Sequence, residues 1–328
     1  MVATLRLSPP AAPAPAVRPP STATRRTVRA RAMKRLGEAD PKAQWIEENC
    51  GFGEVTDRKQ LGSSGWSSFI RYDTASGNSL FVKTSGRSAQ EMFMGEAEGL
   101  KAMYHTHSMR IPKVWHYGDL PNGGSFIVME YLDFGGRASQ ADLGRQLGLM
   151  HTAEPLHEEA RAGKFGFVCN NTIGATPQPN PWTDDWVEFF REHRIRHQLR
   201  LAGDATLSKK GDELCRKMHK LFDGVEVKPS ILHGDLWSGN IGAVGNEPTI
   251  FDPAVYYGHH EAEFGMSWCA SFGGEFWRAY HEVVPKEPGF EDRKDLYLLY
   301  HYLNHYNLFG GGYKSSAVRC LDSLLAKL

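Results

Sequence analysis

Two hydrophobic periods divide this chain. Past a short helix expected from Asp40 and Pro41 through Trp45 and Ile46, an N-cap and a first-turn proline, the period shortens. Residues 69–72 and 80–83 read as two strands joined across the Ala75, Ser76, Gly77, Asn78 turn. A helix is expected over 89–105, where Phe93, Ala97, Leu100 and Tyr104 recur at three- and four-residue steps. Two more apolar or aromatic runs, 114–117 and 126–131, flank the Asn122, Gly123, Gly124 turn. After Gly135 and Gly136 the helical period dominates, with helices expected at 141–151, 182–201, 209–222, 263–284 and 293–308. A polar loop over 170–181 and a β hairpin turning at Gly245 and Asn246 interrupt them. The pattern gives an α+β chain of two lobes, a small β-rich one over 38–134 and a larger helical one over 135–328. Between such lobes lies a cleft, the usual place for a ligand.

Charge changes this picture at one end only. Lysine plus arginine and aspartate plus glutamate number 38 each, so no global field draws the chain to nucleic acid or an anionic membrane. No run approaches the roughly 18 apolar residues of a spanning helix. Before Glu38, however, every charge is positive: Arg6, Arg18, Arg25, Arg26, Arg29, Arg31, Lys34 and Arg35 stand among Ala, Pro, Ser and Thr. Residues 1–37 therefore read as an organellar transit peptide. Its paired prolines at 9–10 and 19–20 oppose a continuous amphipathic helix and favour a plastid over a mitochondrion. The five cysteines are scattered without a CxxC pair, which argues against a disulfide framework or a zinc knuckle.

The densest chemical signal is HGDLWSGN at 233–240, followed twelve residues later by Asp252. Phosphoryl transfer needs a carboxylate to accept the hydroxyl proton and oxygen ligands for the magnesium that neutralises the phosphates. Asp235 suits the first role, and Asn240 with Asp252 the second. The five-residue step from Asp235 to Asn240 is that of the protein-kinase catalytic loop. Upstream, Gly62, Ser63, Ser64 and Gly65 can form a small-residue turn over a nucleotide, although such a turn alone is usually just a turn. Lys83, ending the run Leu80 to Lys83, fits the phosphate-gripping lysine of that fold, and Glu96 its partner. Glu98 competes, but it lies about 200° from Glu96 around a helix, away from the stripe of Met92, Phe93, Leu100 and Met103. Met129, Glu130 and Tyr131, with Leu132, fall where interlobe backbone groups would meet an adenine. His301 and His305, and the run Tyr256 to Glu261, could suggest a metal, but neither carries the HExxH pattern.

These residues resemble the fructosamine kinase family, relatives of aminoglycoside phosphotransferases and choline kinases. The resemblance rests on HGDLWSGN, on FDPAVYYGHHEAEFGMSW at 251–268, on GEAEGL at 95–100 and on FGFVCNNTIGATPQ at 165–178, and runs from about residue 41 to the C-terminus. It implies a protein-kinase-like bilobal fold, with ATP and Mg²⁺ as cofactors and glycated proteins or glycated lysine as partners. Asp235 would accept the proton of the 3-hydroxyl of a ketosamine, more readily a ribulosamine or erythrulosamine than a fructosamine. Trp237 would stack on the sugar, with His233 and Tyr257 also assigned to the substrate. Phosphate at carbon 3 makes that oxygen a leaving group, so the adduct can eliminate and free the amine, a repair of glycated protein.

Three positions depart from the family pattern. Gly65 stands where many members carry a cysteine, the loop 62–65 has fewer glycines than usual, and Glu263 replaces an aspartate that braces the catalytic loop. Two other readings stay open: a kinase of the same fold acting on an aminoglycoside or choline-like alcohol, and a nucleotide-binding pseudokinase. The Trp237 signature disfavours the first; the presence of Lys83, Glu96, Asp235, Asn240 and Asp252 disfavours the second.

Overall fold

The structure is a computed structural model, and it describes residues 40–65, 67–87 and 89–328. The leader expected at 1–37 lies outside the described residues. Helix α1 (Pro41–Asn49) starts as the sequence suggests: Asp40 accepts the Lys42 amide and proline opens the first turn. The same carboxylate takes the Tyr72 hydroxyl at 2.7 Å, fastening the helix to the sheet beneath it.

That sheet has five antiparallel strands, β1 (Val55–Ser63), β2 (Ser68–Thr74), β3 (Ser79–Ser85), β4 (Val114–Asp119) and β5 (Ser125–Glu130), in the order β1-β2-β3-β5-β4. Successive side chains of a strand point to opposite faces. Leu80, Val82, Ile70, Tyr72, Phe126 and Val128 form a small core with Ala43 and Ile46 of α1. Phe81, Ile127 and Met129, from the alternate positions, pack with the larger core below. Helix α2 (Gln90–His105) belongs to that larger core through Phe93, Ala97, Leu100 and Met103.

Two glycines let α2 approach the other lobe. A side-chain carbon on Gly95 would stand 2.5 Å from Cβ of Asn171, and one on Gly99 would stand 2.7 Å from Val255 Cγ2. Real Cβ atoms do not come so close, so only glycine permits this seat.

Gly135–Gly136 forms a short strand, β6, parallel to Val244 and Gly245. The helical lobe follows, with α3 (Gln140–Thr152) first. Within the loop expected over 170–181, β7 (Asn171–Ile173) and β8 (Thr176–Gln178) make a small hairpin. Segments Trp186–Phe190, Arg191–Ile195 (a wide π turn) and Arg196–Ala202 run on as one helix, α4, and α5 is Ala205–Lys217. Strand β9 (Ser230–Leu232) enters the loop of the central motif, and β10 (Ile241–Gly245) and β11 (Glu247–Ile250) form the expected hairpin. Strand β12 (Tyr256–Gly258) then pairs with β9.

The single helix expected over 263–284 is broken. A 3₁₀ turn, His260–Met266, leads to the short helix Ser267–Ala270, and α6 is Gly274–Val283. Ser271 turns left-handed at φ 60°, and Phe272 folds back to stack on Phe276 at 4.0 Å. The adjacent Gly273 and Gly274 offer no helix propensity to resist the break. Helices α7 (Phe290–Phe309) and α8 (Lys314–Lys327) complete the lobe, α8 lying beyond the last helix expected from the sequence, 293–308. Among the described residues no helix is long and apolar enough to cross a membrane.

Candidate active site

Strand pairing assembles the site. Ala254 donates to the His233 carbonyl at 2.8 Å and Phe251 to the Asn240 carbonyl at 3.2 Å, so the hairpin β10–β11 returns Asp252 beside the loop that carries Asp235. The Asn240 amide donates to the carbonyls of Asp235 at 2.9 Å and Asp252 at 3.3 Å, joining the two segments. Asp252 itself is left-handed at φ 59°, a costly conformation for a residue with a side chain and one concentrated at functional sites.

Across the cleft, Lys83 Nζ lies 2.6 Å from Glu96 and 2.6 Å from Asp252. Glu98 faces elsewhere and pairs with Lys101. Burial alone would lower the Lys83 ammonium, but the two carboxylates outweigh it and hold it above its ordinary value. Burial pushes the Glu96 carboxyl up against the pull of Lys83. For Asp252 the balance falls the other way: burial opposes ionisation, yet Lys83 keeps the carboxyl below the usual range. Among the described residues no such cation offsets Asp235. Burial, with the charges of Asp252 and Glu263, raises it to about 7, the range suited to a general base at neutral pH.

A polar cavity of 210 Å³ is lined by Ser64, Lys83, Glu96, Asp235 and Asp252. It adjoins an apolar cavity of 400 Å³ walled by Phe81, Met129, Tyr131, Leu132 and Phe134, since Phe69, Lys83, Glu96 and Asp252 line both. Glu130 also lines the apolar cavity and pairs with Arg110. An apolar cavity opening into a charged one has the polarity of a nucleotide, with the base in the first and the phosphates in the second. Gly62 and Ser63 lie in the exposed end of β1 and Gly65 in the turn beyond it, so Ser64 is the member of that group lining the polar cavity. Trp237 is 40% exposed, its ring laid over Gly239.

Two residues assigned to the substrate are buried and do not line the polar cavity. His233 is fully buried, with Nε2 bonded to the Phe251 carbonyl at 2.9 Å and Nδ1 accepting the Asp235 amide at 3.3 Å. Burial holds its ring below the ordinary value, and it supports the loop from beneath. Tyr257 is buried in an aromatic cluster with His157, Phe167 and Trp182, its hydroxyl accepting the Leu156 amide. Phe69, Asn171, Thr172 and Gly174, which the sequence did not single out, also line the polar cavity. The period of β2 could have indicated Phe69; the others fell in a stretch read as loop.

The ligand atoms of His259, His260 and Glu261 lie within 4.8 Å of one another, but both Glu261 oxygens are engaged by Arg293 at 2.7 Å and His259 Nδ1 by Tyr297 at 2.7 Å. A guanidinium already occupies the place a cation would take. His305 Nδ1 is likewise bonded to the His301 carbonyl at 2.7 Å.

A five-stranded lobe carrying a buried lysine–glutamate pair, set over a helical lobe with a carboxylate loop and a second carboxylate, defines a phosphotransferase of the protein-kinase-like fold. The chain belongs to the fructosamine kinase family, whose model, described as fructosamine kinase, matches residues 39–327. It is 52% identical over 317 residues to the chloroplastic protein-ribulosamine 3-kinase of Oryza sativa subsp. indica, covering 94% of this chain and 89% of the relative. The Arabidopsis thaliana protein of the same name is 50% identical over 306 residues, covering 90% and 91%. A crystal structure from Thermobifida fusca, provisionally assigned as a fructosamine-3-kinase, superposes with a TM-score of 0.75 at 28% identity, covering 87% of this chain and 98% of that one.

Proposed function

We propose that the chain is an ATP-dependent kinase that phosphorylates the 3-hydroxyl of protein-bound ketosamines, chiefly ribulosamines and erythrulosamines. The observation that carries this is the meeting of Lys83, Glu96, Asp252 and Asp235 around one polar cavity that opens into an apolar slot. The slot takes the adenine against Met129, Glu130 and Tyr131, and the Ser64 turn covers the phosphates. Lys83, oriented by Glu96, grips the phosphates, and Asp235 accepts the proton of the attacking hydroxyl. Trp237, exposed beside Asp235, offers a plane for the C–H face of the sugar.

The donor set fits magnesium, which takes oxygen ligands. Asn240 has committed its amide nitrogen to two carbonyls, which leaves its oxygen as the ligand atom, and Asp252 supplies a carboxylate. Bound there, the ion would neutralise charge on the phosphates. The protein's own part is to hold donor and acceptor in line and to take the proton at Asp235. The names of the plant relatives and the acid-free leader 1–37 support delivery to a plastid.

The test is ADP release and phosphosugar formation by the purified chain with magnesium ATP and ribulosyl-lysine, fructosyl-lysine, choline or kanamycin, beside an Asp235→Asn control. Turnover confined to ketosamines and lost in the control is expected. Turnover on choline or kanamycin alone would move the chain to the cousin families, and nucleotide binding without turnover would make it a pseudokinase. A fluorescent fusion of residues 1–37, expected inside plastids, tests the leader.

A further inference from the structure

The cleft leaves unexplained a row of aromatic side chains beside it. Trp268 is 45% exposed and Phe309 66%. Tyr302 and His305 bridge them: the Trp268 ring centroid lies 5.7 Å from each, and His305 lies 5.5 Å from Phe309 and 4.9 Å from Tyr313. A contiguous apolar surface on a folded protein usually meets a partner.

The row joins the cleft at both ends. Trp268 sits in the short helix Ser267–Ala270, which packs against the Ser238–Asn240 turn of the catalytic loop. The neighbouring Cys269 thiol, raised mainly by burial, also senses the charge of Asp235. At the far end Leu308, just before Phe309, touches Gly174: a Cβ on that glycine would lie 3.1 Å from Leu308 Cδ1. Gly174 lines the polar cavity with Asp235. The row also carries no formal charge at neutral pH, because burial holds the His305 ring below its ordinary value.

Neutral aromatic faces attract alkyl chains and cations together. A glycated lysine has that chemistry, a flexible four-carbon stem ending in a secondary ammonium where the sugar is attached. We propose that the row formed by Trp268, Tyr302, His305 and Phe309 docks the polypeptide side of the acceptor, with the lysine stem and its ammonium lying along the rings while the sugar enters the cleft. This inference rests on the ketosamine reading above.

The test compares two acceptors with the full chain and its Trp268→Ala, Phe309→Ala and doubly substituted variants. One acceptor is ribosylated lysozyme, which presents ribulosyl-lysine on a protein; the other is the ribulosamine of methylamine, which has no stem. The double variant is expected to lose about tenfold in kcat/KM on the glycated protein, mostly through KM, and to keep its rate on the small acceptor. The unchanged small-acceptor rate also reports an intact fold. An equal fall on both acceptors, or no fall on the protein, overturns the docking surface alone. A wild-type chain inactive on every ketosamine overturns the underlying reading and this surface with it. Sedimentation showing a wild-type dimer that the double variant cannot form would assign the row to a second copy of the chain and overturn the proposal.

Discussion

Glu263 accepts the backbone amide of His233 at 2.7 Å, and its other oxygen takes the amide of Gly234 at 2.9 Å. His151 stands on the same carboxylate at 3.2 Å, and together these bonds keep it ionised although burial opposes the charge. The loop carrying Asp235 is thus braced by a glutamate reaching up from the 3₁₀ turn His260–Met266. Glu263→Gln turns an NH₂ donor toward an amide that needs an acceptor. The variant is expected to lose about 1–3 kcal/mol of stability and at least tenfold in kcat, measured by denaturant unfolding and steady-state kinetics. Unchanged unfolding would show that the brace is dispensable.

Glu96→Gln removes the negative partner of Lys83 while keeping its volume. The lysine then rests on Asp252 alone, the carboxylate proposed to hold magnesium. A rise in KM for ATP and a fall in kcat of about tenfold or more are expected in a magnesium titration, with a shift to higher magnesium demand. Wild-type kinetics would deny the pair its orienting role.

Asp235→Asn should abolish turnover and stabilise the free protein at alkaline pH. The folded-state value near 7 lies above the ordinary 3.8, so between those values the native chain holds a proton that the unfolded chain has released. Stability from this group therefore falls as pH rises through that window, while the rate, which needs the carboxylate, rises. The melting temperature of the variant should exceed wild type by more at pH 8 than at pH 4, with a gain of up to about 4 kcal/mol. Equal differences at both values would contradict the raised carboxyl.

Gly95→Ala sets helix propensity against a close approach. Alanine favours an exposed helix by roughly 1 kcal/mol over glycine, but here the added carbon meets Cβ of Asn171 at 2.5 Å and its Cα at 3.0 Å. Net destabilisation of about 1–3 kcal/mol is expected, together with a loss of kcat as α2 and Glu96 are lifted. A variant more stable than wild type would mean that the hairpin yields.

Much of the site was legible because the chemistry is local in sequence: Asp235, Asn240 and Asp252 lie within one loop and one hairpin, and the helical stripe around Phe93 already pointed Glu96 inward. Legibility failed where tertiary contacts decide. His233 opens the motif and Tyr257 follows it, and both look like substrate residues, yet the fold buries both. The β7–β8 hairpin has three-residue strands, too short for a period, and reads as polar loop although Asn171 fixes α2. The break at Ser271 follows from ring stacking between Phe272 and Phe276, which no periodicity records.

The ion pair between Lys83 and Glu96 ties β3 to a helix that packs on β4 and β5 of the same sheet and is also seated against the helical lobe. Lys83 follows Val82, rooted in the small core, whereas Glu96 rides on a helix seated by Gly95 and Gly99 against the larger lobe. Because α2 packs on β4 and β5 as well as on Asn171 and Val255, parting the lobes to exchange nucleotide would strain one of its two seats. In the proposed reaction, cleft opening and the setting of Glu96 against Lys83 are coupled through this one helix.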